Sequence, residues 1–175
     1  MRIVEADGDT LGRMFAGAVE QTFQTELGVA DPPLTDYLAT LLMRFVRSEA
    51  VFQLRDPHGR PLEEVTAMAL EAAERTARPR RDAYRHIGDF TLFWTGLYPD
   101  ALKKLRGKDR ADALLDYADE GRKSYLRAAD CPVAKAPDEE APVLRRLGEQ
   151  FEMCCYGLGI VKQVWGDPPL AGEAA

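Results

Sequence analysis

The chain is short of the residues on which much protein chemistry depends: among 175 residues there are three cysteines, two histidines and two tryptophans. Three cysteines cannot build a disulfide framework. Cys154 and Cys155 are neighbours whose side chains diverge by about 100° on a helix, so no disulfide is expected and a reducing, cytoplasmic setting is the simpler reading. His58 and His86 are too few to anchor a metal centre, and the chain has no Glu-x-x-His, His-Glu-x-x-His or Cys-x-x-Cys, so no metal and no cofactor is expected. A Gly-x-Ser-x-Gly elbow and a glycine-rich phosphate loop are missing too, which leaves no recognisable catalytic residue. No apolar run approaches the roughly 20 residues of a membrane span, so no membrane role is expected. The opening residues, MRIVEADGDTLGR, meet acids at once and lack the apolar core of a signal peptide.

Alternating polar and apolar residues, the mark of a strand, are also missing, and helical spacing takes their place. The fold class read from this is all-α: a single bundle-like domain of about six helices over residues 1–166, with a flexible tail at 167–175. A first helix is expected to start at Thr10 as N-cap and to stop at Leu27-Gly28, Gly28 taking the left-handed position. A second is capped by Asp31, opens on Pro32-Pro33 and carries the stripe Leu34, Leu38, Leu41, Phe45, ending between Val51 and Leu54. The turn formers Asp56 to Pro61 follow, a third helix opens at Pro61, and Arg78-Pro79 ends it.

A fourth helix, about 80–97, is apolar around most of its circumference and therefore belongs at the centre of the fold. Beyond a short turn at Asp100 to Leu105, a fifth runs from about Asp109 to Ala129. Its small residues Ala111, Ala118, Gly121 and Ala128 suit close approach by another helix. Residues 130–142 read as a surface connection. The last helix, about 143–165, carries Leu144, Leu147, Phe151, Cys154, Leu158, Val161 and Trp165 at alternating spacings of three and four, a heptad seam.

Three functional expectations follow. The leading one is a non-enzymatic interaction or accessory protein, a homo-oligomer or a subunit beside a protein partner, because the last helix carries a long heptad seam while catalytic and cofactor motifs are missing; its second apolar face at Tyr156, Ile160 and Val164 is the expected contact. The second is a ligand pocket or enzyme site around His86 and Asp89, which share a face of the most apolar helix. Arg85, Glu120, Arg122, Tyr125 and Glu152 are candidates to complete that cluster, since polar groups in such surroundings need partners. The third is an anion or nucleic-acid binder. The net charge of −6 makes nucleic acid an unfavoured partner, yet residues 78–110 carry +5, and Arg80, Arg81 and Arg85 sit at a helix start where amides already favour an anion.

Overall fold

In the computed structural model, residues 3–45, 54–105, 111–134 and 137–165 are described. The helical spacing becomes α1 (Ile3–Thr25), α2 (Pro32–Phe45), α3 (Val65–Glu74), α4 (Ala77–Leu97), α5 (Pro99–Leu105), a 3-10 turn (Ala111–Leu114), α6 (Tyr117–Asp130), α7 (Glu140–Glu149) and α8 (Phe151–Trp165). The protein is all-α: among the described residues there is no strand, only an isolated antiparallel bridge between Arg55 and Pro61. Packing groups the chain into two units, one of residues 52–155 and one of residues 1–51 with 156–175. The expected tail at 167–175 lies outside the described residues. None of the described helices is long and apolar enough to cross a membrane.

In the unit of residues 1–51 and 156–175, α1 packs on α2. Asp31 caps α2 as expected, its carboxylate accepting from the Leu34 amide at 3.3 Å, and Leu34, Leu38, Leu41 and Phe45 are all buried. The expected end of this helix, Val51 to Leu54, falls mostly outside the described residues. Gly28 adopts φ +65°, the backbone a glycine tolerates at a helix end. The start of α1 differs from the expectation. The helix runs through Asp7-Gly8-Asp9 from Ile3 and does not begin at Thr10, because an interior glycine costs a helix only about 1 kcal/mol relative to alanine.

The other unit is organised around α4, which packs against α3 and α6, with α7 packed on α6 in turn. Its buried set includes Ala83, Ile87, Asp89, Phe90, Leu92 and Phe93, as its apolar circumference requires. Three boundaries differ from the sequence reading. Pro79 lies in the first turn of α4, where its missing amide costs nothing, and does not terminate the preceding helix. The third helix begins at Val65 and not at Pro61, since the Leu62 amide is drawn back to the Leu54 carbonyl at 2.9 Å.

The cap of α3 comes from far away in sequence. The carboxylate of Asp112, itself fully buried, accepts from the Val65 amide at 2.7 Å, the Thr66 amide at 2.9 Å and the Tyr117 hydroxyl at 2.7 Å. Glu64 reciprocates by accepting from the Ala111 amide at 2.8 Å, so the arrangement works as a capping box closed across the fold. It also explains the third difference: residues 111–114 form a 3-10 turn, and the helix expected from Asp109 starts at Tyr117, capped by Asp116.

The last expected helix is divided at Gln150 into α7 and α8. Its heptad seam survives the division, with Leu144, Leu147, Phe151, Cys154, Leu158 and Val161 all buried. The side chain of Trp165 lies outside the described residues.

Candidate functional site

The expected polar cluster is built on α4 one turn apart, at His86 and Asp89. Asp89 is 0 % exposed, and the Tyr125 hydroxyl of α6 donates to its carboxylate at 2.6 Å. What lets the two helices come this close is Gly88: a Cβ there would fall 2.6 Å from the Tyr125 ring. His86 is buried on the same helix, its ring 6.2 Å from that of Phe90.

The other candidates are placed elsewhere. Arg85 turns toward the start of α7 and donates to Glu140 at 2.6 Å. Arg122 stands on the outer side of α6, 4.0 Å from Asp119 and 3.8 Å from the exposed Glu152, and Glu120 is half-buried on the same helix. Of the seven residues, Asp89 and Tyr125 therefore meet, with His86 a turn away, and Arg122 meets Glu152 at the surface. A carboxylate sealed in this way by a phenol and by close-packed helices holds the core together. Among the described residues, no group of three or more His, Cys, Asp or Glu is arranged to hold a metal ion.

The arginines at the start of α4 divide just as sharply. Arg81 is 0 % exposed and engaged within the fold. Its Nε donates to the Ala128 carbonyl at 2.9 Å, Nη2 to the carbonyls of Ala129 at 3.3 Å and Cys131 at 2.8 Å, and the fork meets Asp138 at 2.8 and 2.7 Å. It thus caps the C-terminus of α6, where a cation is favoured by the helix dipole. Asp138 in turn accepts from the Ala141 amide at 3.2 Å at the start of α7. The Arg81 guanidinium, opposed by partial desolvation and helped by the amides of Ala141 and Glu140, holds the Asp138 carboxyl at about 2. With its donors so engaged, Arg81 cannot serve as an anion ligand, and Arg85 is committed to Glu140. Of the expected trio, Arg80 lines a cavity.

That cavity, of about 390 Å³, lies where the start of α4 meets the end of α6, and its walls include Thr76, Arg80, Tyr84, Arg127, Asp130 and Cys131. The Arg80 and Arg127 guanidinium carbons stand 5.8 and 5.7 Å from the Tyr84 ring centre, within the outer range of a cation–π contact with one buried aromatic. Asp130 is engaged by Arg145 at 2.6 Å. The sequence pointed to Arg80 through its place at a helix start. Nothing in the order of residues pointed to Arg127 or Cys131, which only packing brings to this spot.

All three cysteines are free. Cys131 and Cys155 are both partly exposed: partial burial, reinforced by the charge of Glu152, pushes the Cys155 thiol up to about 12, and Cys131 stands at the cavity wall. On α8, the second apolar face is open: Tyr156 is 65 % and Val164 68 % exposed, with Ile160 half-buried between them. Compared with known proteins, the chain matches no family and is similar at a significant level to no curated protein and no solved structure.

Proposed function

We propose that this protein acts by association, as a homodimer joined through the outer face of α8. The observation that carries the reading is the division of labour along that helix. Leu158 and Val161 are buried, whereas Tyr156 and Val164, on the i, i+4, i+8 row with Ile160, are left in solvent. Isolated apolar side chains at a surface are ordinary, but a row at helical spacing is the shape a partner helix takes up. A two-fold contact uses the same row twice. Six such side chains contribute on the order of 10 kcal/mol gross, from about 1.5–3 kcal/mol each when fully buried and less when partly covered already. Association costs of similar size leave a concentration-dependent dimer. A cytoplasmic setting fits the three free thiols.

Sedimentation across a concentration series tests this. The wild type is expected to pass from monomer to dimer, and Ile160→Glu with Val164→Glu to remain a folded monomer with unchanged helicity. A wild type that stays monomeric at the highest concentration overturns the reading. The alternative of a ligand pocket at His86 and Asp89 has less support, since Asp89 and Tyr125 are both fully buried.

A further inference from the structure

The geometry points to the cavity between the start of α4 and the end of α6 as a binding site for a small molecule bearing a phosphate dianion, with Arg80 and Arg127 as its ligands. Most of the other arginines of this unit are neutralised by a carboxylate. Arg75 pairs with Glu71, Arg78 with Asp82 and Glu140, Arg81 with Asp138, Arg85 with Glu140, Arg122 with Asp119 and Arg145 with Asp130. Arg80 and Arg127 line one cavity and make no ion pair among the described residues, in a chain that has 29 acidic residues for 23 basic ones. The one carboxylate in the cavity wall, Asp130, is engaged by Arg145.

Charge and shape then select the ligand class. Guanidinium groups suit the oxygens of phosphate and carboxylate alike. Two of them, set beside the N-terminal end of a 21-residue helix whose Thr76 side chain makes no cap bond, match a dianion better than a single carboxylate. The space, about 390 Å³, falls at the small end of the range for ligand cavities and exceeds what a bare phosphate needs. The organic body of a small phosphomonoester fills the remainder. This site is independent of the proposed dimer contact and stands or falls separately.

Cys131 provides a built-in reporter, because it shares the cavity wall. Inorganic phosphate, pyrophosphate, succinate and chloride are titrated at matched ionic strength while the rate of Cys131 alkylation is followed. Binding is measured in parallel by calorimetry on Cys131→Ser. Phosphate and pyrophosphate are expected to slow alkylation at least tenfold at saturation, and Arg80→Gln or Arg127→Gln to weaken their binding tenfold or more. Arg127 is exposed, so Arg127→Gln is expected to keep the wild-type melting temperature without ligand. Equal protection by chloride would reduce the effect to screening, and tighter binding of succinate would refute the phosphate assignment. Unchanged affinity in Arg127→Gln would remove the site itself.

Discussion

Arg81 and Asp138 lie 57 positions apart in sequence and meet through two parallel hydrogen bonds of 2.8 and 2.7 Å, joining the end of α6 to the start of α7. A carboxyl held at about 2 in the folded protein and near its ordinary value of about 3.9 when unfolded binds more protons in the unfolded chain between those two values. Stability therefore falls as pH drops from about 4 toward 2, and the contribution is fully present above that window. Urea midpoints measured from pH 5 to pH 2 are expected to fall less steeply in Asp138→Asn than in the wild type. At pH 7, Arg81→Lys is expected to cost about 2 kcal/mol, because an ammonium keeps the charge but cannot serve three carbonyls and a carboxylate fork together.

Tyr125→Phe removes a single hydroxyl and leaves the ring over Gly88. It deprives the buried Asp89 carboxylate of the donor at 2.6 Å, for an expected loss of about 1–3 kcal/mol. Asp89→Ala is expected to cost about 3 kcal/mol or more, through a stranded buried donor and a cavity. A change below about 0.5 kcal/mol in the urea midpoint of Asp89→Ala would show a solvated carboxylate.

Two glycines in helices are expected to respond to alanine with opposite signs. Gly17 is exposed and an added Cβ meets nothing within 4 Å, so Gly17→Ala gains about 0.5–1 kcal/mol from reduced backbone freedom. At Gly121 the same Cβ would collide with the Thr91 hydroxyl and reach within 2.6 Å of the Phe151 ring. The hydroxyl is fixed by the Ile87 and Gly88 carbonyls at 2.8 and 3.0 Å, and Phe151 is buried. Overpacking of about 1–3 kcal/mol then outweighs the propensity gain, and thermal melts of the two variants should move apart.

Native thiol titration is expected to find one reactive cysteine. Cys131 is partly exposed, Cys154 is fully buried, and Cys155 has its thiol held at about 12, so its thiolate is scarce at neutral pH. Denaturant should release all three, and Cys131→Ser should abolish the native reaction. Rapid labelling of Cys155 in the native protein would contradict its raised thiol.

What the sequence determined by itself was whatever depends on neighbours three or four residues away. Helical spacing established the all-α class, the apolar circumference of α4 assigned it to the interior, and Asp31 and Gly28 marked ends because caps are local. The seam from Leu144 to Val161 was legible for the same reason, although the division at Gln150 was not. The open row at Tyr156, Ile160 and Val164 was legible too, as the face that the seam did not use.

Tertiary structure decided everything that joins distant segments. Asp112 caps α3 from 47 positions away in sequence, Arg81 closes the end of α6, and Arg127 and Arg80 come to the same cavity beside Tyr84. The short-range order of residues carries no record of these meetings, because a carboxylate or guanidinium can satisfy any orphan amide or carbonyl that the fold brings within reach. Gly88 shows the boundary between the two kinds of information. Its sequence position announces only a weak point in a helix, and it takes the ring of Tyr125 lying against it to turn that weakness into the space through which Asp89 is reached.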